Sequence, residues 1–303
     1  MTAIPQTRAP LLANFICMLS MLVWAAGLPA ADLLIGKVPP LPLTAARMVM
    51  AALVLLPLWL LLEGPATLKG AHWGKGIVIG GLSIGLGAFL LVVGQSMTGP
   101  VTVAIISASM PLIGIAIEVL LDGRKLTWAL IAGLILALIG GVMALGSGAS
   151  SLNLGLGALF CLASVITFTI GSRLTVTAFP QLTPLGRTTV TLTGAAILTS
   201  IAALAHIGMG AATPDWALIG AHKWGALAIF SIGGLAISQV LWIMSVGQLG
   251  IGMASLHINA TPFYVMLILF LLGAAWSWPQ ALAAAVVGAG VLIAQGLLSP
   301  KRT

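Results

Sequence analysis

The sequence predicts an all-α membrane protein with ten transmembrane helices, arranged as two inverted five-helix repeats. Three observations support this prediction: the composition, ten long apolar runs, and an internal match between the two halves. Of the 303 residues, 60% are hydrophobic and only 6% are charged, whereas a soluble domain carries about 25% charged residues. A mean hydropathy of +1.19 excludes an ordinary soluble enzyme. It also excludes a disordered chain, which needs low hydrophobicity and high charge.

The first five apolar runs approach the roughly 20 residues that a membrane-spanning helix needs. Arg8 precedes the first run, which is longer than the apolar core of a secretory signal peptide, so we expect it to be retained as helix 1. Residues typical of turns separate the runs. The predicted helices cover residues 11–31, 42–62, 73–97, 100–121 and 127–146, and the breaks contain Pro39-Pro40, Glu63-Gly64-Pro65, Gly99-Pro100 and Asp122-Gly123.

Five further apolar runs fill the second half of the chain. They predict helices over residues 153–176, 183–206, 223–247, 250–272 and 278–298. One break between them contains Thr213-Pro214-Asp215, a typical turn sequence. Because most connections in both halves are short, no extramembrane domain is predicted. The activity of the protein is therefore expected to lie within the membrane.

The distribution of Lys and Arg predicts the orientation of the chain. The net charge is +7, but the basic residues stand singly or in pairs between apolar runs, which argues against nucleic acid as a partner. With the N-terminus inside, the inner loops and helix ends hold nine of them and the outer side three, so both termini are predicted to be cytoplasmic. The inner set is Arg8, Lys69, Lys75, Arg124, Lys125, Arg173, Arg187, Lys301 and Arg302, and the outer set is Lys37, Arg47 and Lys223.

Residues 73–146 and 224–297 match each other, which predicts two repeats over residues 11–146 and 153–298. Each repeat has five helices. Since five is odd, the second copy enters the membrane from the opposite side, an arrangement typical of transporters. Arg47 and Arg187 are expected to correspond as well. The matched residues are Trp73-Gly74 with Trp224-Gly225, Gly99 with Gly250, Pro111 with Pro262, Gly123 with Gly273, Trp128 with Trp278 and Gly140 with Gly290.

This architecture, with an Arg early in helix 2 and a Pro within helices 4 and 9, resembles the drug/metabolite transporter superfamily and its EamA-type members. The family often ends helix 4 or 9 with Gly-Glu-Arg-Leu, but this chain reads Gly123-Arg124-Lys125-Leu126 and Gly273-Ala274-Ala275-Trp276. A role for that Glu therefore does not carry over. Overall the chain looks most like the YddG-type amino-acid exporters of bacterial inner membranes. The resemblance implies export of aromatic and other neutral amino acids without a cofactor.

Polar and aromatic residues within the apolar runs are the candidates for binding substrate, because polar groups are costly in lipid and turn towards the interior. In helix 9, His257, Thr261 and Tyr264 follow an i, i+4, i+7 pattern that would place them on one face. Pro111 and Pro262 are predicted as hinges near the middle of helices 4 and 9, where each would free a backbone carbonyl. The predicted substrate-binding residues are His257, Asn259, Tyr264, Trp242, Ser238, Gln239, Ser83, Ser107 and Trp24.

The sequence leaves two transport mechanisms open. The first is a facilitator that exports amino acids by alternating access, and the alternative is a proton-coupled multidrug or metabolite exporter of the same fold. Proton coupling usually needs a deep acid, but Asp32, Glu63, Asp122 and Asp215 lie at predicted helix ends or in loops, and Glu118 is expected to reach the interface. The facilitator is therefore favoured, as a monomer or weak homo-oligomer in the lipid bilayer.

Two other classes of activity are disfavoured. An intramembrane hydrolase would need a nucleophile motif beside His257, and none occurs. Cys17 and Cys161 have no metal-ligand spacing around them, so neither a metal nor another cofactor is predicted.

Overall fold

The computed structural model describes residues 8–98, 103, 106–146, 155–273, 275–276 and 278–294, and within these ranges the chain is helical with no β-strand. A single isolated bridge joins Ile35 and Val38 between the first two helices. The long helices are α1 (Arg8–Asp32), α2 (Pro40–Glu63), α3 (Trp73–Thr98), α4 (Met110–Asp122), α5 (Trp128–Gly146), α6 (Leu156–Thr177), α7 (Pro184–Gly208), α8 (Ala221–Leu249), α9 (Ile251–Leu271) and α10 (Trp278–Ala294).

Seven of the helices in the described part are long and apolar enough to cross a membrane: α1, α2, α3, α6, α7, α8 and α9. The chain is therefore a multi-pass membrane protein by length and composition. The helices α4, α5 and α10 do not reach that measure within the described residues. The ten-span arrangement as two inverted repeats stays a prediction.

The distribution of side chains is the reverse of that in a soluble protein. Large apolar side chains point outward, as Leu61 does with 83% of its surface exposed. Hydroxyl side chains such as Ser172 and Thr188 are fully buried. Lipid solvates apolar surface, whereas a polar group in lipid lacks a hydrogen-bond partner. This distribution fits helices that face hydrocarbon on the outside and pack through small and polar residues inside.

The helices of one half pack mainly against helices of the other half. α1 packs against α8 and α3 against α6, while α2 packs against α7, α4 against α9, and α5 against α10. If α1–α5 correspond to α6–α10, exchanging the halves leaves this set of pairs unchanged. The packing is thus what a pseudo-symmetric repeat requires.

Two π-helical segments fall at matching places in α3 and α8. They are Gly80–Gly85 and Ile229–Ile237, and the repeat offset of 151 residues carries the first onto residues 231–236. The glycines that end α4 and precede α10, Gly123 and Gly273, also match, and both have positive φ angles, 65° and 100°. Gly99, which is predicted to match Gly250, lies outside the described residues. These local distortions support the repeat more specifically than helix length does, because a π-helical turn is rare.

The prediction that Pro111 lies in the interior of a helix is wrong. The chain turns at Ala108–Ser109, and α4 begins at Met110, so Pro111 occupies the first helical turn. Proline is tolerated there because that N–H has no partner within the helix. The backbone at Pro262 behaves in the same way, since a 3₁₀ segment, Leu256–Ala260, precedes the α-helical part Thr261–Leu271. Both prolines therefore follow a break in the helix, and their role as hinges stays a prediction.

Candidate functional site

A cavity lies between the two halves of the molecule. Residues of α1, α2, α3, α6 and α8 line it, together with Ser107 and Met110 at the start of α4 and Ile258 in the 3₁₀ segment of α9. The cavity offers about 70 Å³ to the centres of water molecules, which is room for several waters. Its lining is mostly apolar with a few polar groups, the usual composition of a small-molecule site. The polar and aromatic lining residues are Ser20, Trp24, Arg47, Ser107, Ser164, Phe168, Ser238, Gln239 and Trp242.

An aromatic pair forms one wall of this cavity. The rings of Phe168 and Trp242 stack with their centroids 6.2 Å apart and their planes 28° from parallel. The indole Nε1 of Trp242 donates a hydrogen bond to Ser172 Oγ at 2.9 Å. Because this bond satisfies the polar edge of the indole within α6, its ring is held in place and its apolar surface is available to a ligand.

Most hydroxyl groups at the cavity donate to backbone carbonyls. Ser20 Oγ donates to the Ser238 carbonyl at 2.8 Å and joins α1 to α8. Ser164 Oγ donates to the Gly87 carbonyl at 2.6 Å and joins α6 to α3. These bonds couple helices of opposite halves. Gln239 differs, since its side-chain Nε2 is buried without a hydrogen-bond partner in the described part of the chain.

Arg47 is the charged residue of the cavity lining. Its Nε donates to the Phe230 carbonyl at 3.2 Å, and its Nη2 donates to the Gly234 carbonyl at 3.0 Å. Both carbonyls belong to the π-helical segment of α8, and the guanidinium also lies 3.8 Å from the centroid of the Phe230 ring. The sequence analysis assigned Arg47 to the outer surface and missed its place here. Its position five residues into an apolar run was the available signal.

The structure brings five of the nine predicted binding residues to the cavity: Trp24, Ser107, Ser238, Gln239 and Trp242. The sequence analysis missed Arg47, Phe168, Ser20 and Ser164. Phe168 resembles many other apolar helix residues, and the hydroxyls at positions 20 and 164 stand singly in apolar runs. Nothing in their spacing separates them from packing residues.

Four predicted residues, Ser83, His257, Asn259 and Tyr264, are not among the lining residues. Ser83 Oγ donates to the Ile79 carbonyl. In the 3₁₀ segment each residue turns the chain by about 20° more than in an α-helix. The segment thus changes the angle between His257 and the residues Thr261 and Tyr264, whose common face stays a prediction, and Ile258 of this segment lines the cavity.

The position of Glu118 corrects another expectation. Its side chain is only 6% exposed, so it does not reach the membrane interface as predicted. The carboxylate forms an ion pair with Arg124 and accepts a hydrogen bond from the Gly252 backbone N–H at 2.9 Å. Glu118 thus caps the N-terminus of α9 from α4, where the helix dipole favours negative charge. It does not line the cavity.

Residues 11–146 match the EamA-like transporter family. The match covers α1–α5, so this part of the chain is similar to a family of transporters. Among curated proteins, the chain is 26% identical over 274 residues to the uncharacterized transporter YyaM of Bacillus subtilis (strain 168), with 87% of each sequence covered. Both names indicate a transporter rather than an enzyme.

A solved crystal structure of a protein with 23% sequence identity superposes with a TM-score of 0.76. The alignment covers 96% of this chain and 99% of that chain. At this identity the likeness shows the fold alone.

Among the described residues, no three His, Cys, Asp or Glu side chains come together to form a metal site.

Proposed function

We propose that this EamA-like protein is a secondary transporter of the cell inner membrane that exports aromatic and other neutral amino acids by alternating access. The observation that carries the proposal is the cavity between the two halves, with its wall of Trp242 and Phe168. A stacked aromatic pair packs well against an apolar or aromatic side chain. The amide of Gln239 and the neighbouring serines supply polar contacts for the amino-acid backbone.

The arrangement of the halves supports alternating access. The main helix pairs run between the halves, so one half can rock against the other around the cavity. The helix breaks before Met110 and Thr261 lie in the pair α4 and α9. Broken helices at the repeat interface are common in transporters. In this proposal the chain crosses the membrane ten times, and both termini are cytoplasmic.

The proposed transporter is a facilitator driven by the substrate gradient. None of the lining residues of the cavity is an Asp or Glu. Glu118 is buried, but it is paired with Arg124 and holds the start of α9, so it has a structural role. The burial of Glu118 is also the observation that favours the alternative, a proton-coupled multidrug or metabolite exporter, because a buried carboxyl group can carry a proton.

The direct test is flux of a labelled amino-acid panel in liposomes that contain the pure protein. We expect exchange of labelled phenylalanine and other neutral amino acids well above that of protein-free liposomes, and little exchange of lysine or glutamate. A Trp278→Ala variant is the matched control, since Trp278 is 76% exposed and far from the lining set. Absence of exchange for every amino acid, with correctly folded protein, would contradict the proposal.

A further inference from the structure

The positive charge of Arg47 has no counter-charge in the described part of the protein. Arg47 is buried, with only 4% of the residue surface exposed. The ion pairs of the described residues join Arg124 to Glu118 and Arg173 to Asp122, and neither involves Arg47. A buried charge without a partner is strongly unfavourable unless something compensates it.

The hydrogen bonds of Arg47 leave donors for a ligand. Two of its five N–H groups are used by the Phe230 and Gly234 carbonyls. These two bonds fix the guanidinium plane on the π-helical segment of α8. The side chain lines the cavity, and an anion there would restore neutrality and satisfy further N–H groups.

A second donor without a partner lines the same cavity. Gln239 is 3% exposed, and its Nε2 has no hydrogen-bond partner among the described residues. A buried amide N–H₂ of this kind costs free energy until an acceptor arrives. Arg47 and Gln239 both line one small cavity, and no acidic side chain is among its lining residues. The shared requirement of the two groups is an anionic acceptor.

We propose that Arg47 and Gln239 form the subsite for the carboxylate of the substrate. This inference rests on the proposed function and redefines its substrate class. The apolar end of the substrate packs on Trp242 and Phe168, and its carboxylate bonds to Arg47 and Gln239. Because no carboxylate of the protein lines the cavity to bind an ammonium group, the amine of an amino acid is dispensable. The substrate class is therefore monocarboxylates with an apolar or aromatic body, amino acids included.

Arg187 offers a matched control within the chain. It is the expected repeat counterpart of Arg47, and it also uses Nε and Nη2 to bind two backbone carbonyls, those of Phe179 and Pro180. It lies outside the lining set of the cavity. Loss of Arg187 therefore removes comparable hydrogen bonds without touching the proposed subsite.

The first experiment compares three ligands of similar size: phenylalanine, 3-phenylpropionate and phenylalaninamide. In wild-type liposomes we expect flux of phenylalanine and 3-phenylpropionate and at least tenfold less flux of phenylalaninamide, which lacks the carboxylate. Thermal stability in detergent gives a second readout, since only the two carboxylates should raise Tm by binding the folded state. Equal transport of phenylalaninamide and phenylalanine would overturn the subsite while leaving the transporter proposal intact.

The second experiment changes the charge of the subsite. Arg47→Gln should lower flux of both carboxylates at least tenfold, Arg47→Lys should give a smaller loss, and Arg187→Gln should keep the wild-type order of substrates. Gln239→Glu is nearly isosteric and adds a negative charge, so it should shift preference from 3-phenylpropionate to phenylalaninamide. The ratio of the two fluxes does not depend on how much protein folds. An unchanged ratio in both Arg47→Gln and Gln239→Glu would refute the assignment, whereas no flux of any ligand in wild type would refute the proposed function.

Discussion

At the scale of single residues, the interior polar groups fall into two classes. Most have a hydrogen-bond partner within the protein: Ser20 donates to the Ser238 carbonyl, and the Trp242 Nε1 donates to the Ser172 hydroxyl. A few have no such partner in the described part, including the Gln239 amide nitrogen and both polar atoms of the Asn259 side chain. The groups with a partner join helices, whereas the groups without one have unused hydrogen-bonding capacity. Substitutions in the two classes are therefore expected to have different effects.

Trp242 provides the residue-scale prediction. Replacing Trp242 by Ala removes the ring that stacks on Phe168, so binding of aromatic substrates should weaken by about 1–3 kcal/mol. Small substrates such as alanine, which do not reach the ring, should lose much less. Replacement by Phe keeps an aromatic face but removes the bond to Ser172, and it should give an intermediate loss. Competition of unlabelled amino acids with labelled phenylalanine measures the relative affinities of wild type, Trp242→Ala and Trp242→Phe.

A fall in stability alone would reduce flux of every substrate by the same factor. The ratio of phenylalanine to alanine affinity therefore separates contact from folding. The exposed Trp278→Ala variant should leave that ratio unchanged. Equal losses for both substrates in Trp242→Ala would mean that Trp242 has only a packing role.

At the scale of helices, close approach and local distortion define the interior. Gly80 lies in the π-helical segment of α3. A Cβ atom added to Gly80 would overlap the carbonyl oxygen of Thr191 in α7. Gly234, in the π-helical segment of α8, approaches Gly27 of α1 in the same way: its added Cβ would lie 2.9 Å from the Gly27 Cα. Glycine at these points lets backbones meet where other residues would separate them.

Gly80→Ala should therefore destabilise the protein. The new methyl group meets backbone atoms of α7 that cannot rotate away, and overpacking of this kind costs about 1–3 kcal/mol or more. Gly74→Ala, in the same helix α3, is the control, because nothing lies within 4 Å of its added Cβ. Alanine there should be neutral or slightly stabilising. Thermal unfolding in detergent followed by size-exclusion chromatography compares the two, and an equal Tm for both variants would contradict the close packing of α3 on α7.

The sequence predicts the helices better than it predicts their interruptions. The predicted helix over residues 183–206 corresponds to α7, Pro184–Gly208, because turn residues and apolar length mark both ends. The prolines at 111 and 262 were assigned to helix interiors, yet both lie in a first turn. Proline occurs both at kinks inside transmembrane helices and in first turns. Packing against the partner helix decides which of the two a given proline adopts. The 3₁₀ and π-helical segments have no sequence signal of their own.

The same limit applies to the candidate site. Trp242 and Gln239 could be predicted because they are large or polar within apolar runs. Arg47 was placed on the outer side, because a charge near a predicted helix end is usually solvated, and the carbonyls of the distant α8 account for its burial. Trp59 stands near a predicted helix end, where a Trp usually anchors at the membrane interface, but it is buried, and its Nε1 donates to Glu63. Contacts between segments that are distant in the chain decide where Arg47 and Trp59 lie. A single sequence does not reveal those contacts.

At the scale of the whole molecule, segments predicted to lie on one side of the membrane do meet. Arg173, at the end of α6, pairs with Asp122 at the end of α4. Thr183, before α7, donates to Glu63 at the end of α2 at 2.6 Å. At the opposite end, Ile219 packs with Val38. These contacts agree with the predicted assignment of segments to two sides, and the excess of Lys and Arg predicts that the first side is cytoplasmic.

Cysteine labelling tests that orientation. On a background without Cys17 and Cys161, Lys69→Cys should react with an impermeant thiol reagent only from the cytoplasmic face, and Lys223→Cys only from the outer face. Intact cells and inverted vesicles supply the two faces. The opposite pattern would invert the topology and, with it, the proposed direction of export.

The last prediction concerns the driving force. With the cavity free of acidic side chains and Glu118 bound to Arg124, a phenylalanine gradient alone should drive flux, and an imposed pH gradient should not produce accumulation. Glu118→Gln keeps an acceptor for the Gly252 N–H but removes the charge that pairs with Arg124, so it should lower Tm while gradient-driven flux persists. His257→Gln should behave similarly, since the ring bonds within α9, to the Ala254 carbonyl at 3.2 Å. Flux into liposomes with and without a pH gradient, for wild type and both variants, measures this. Accumulation that requires a pH gradient and that either substitution abolishes would make the protein a proton-coupled exporter, with the altered residue as its proton carrier.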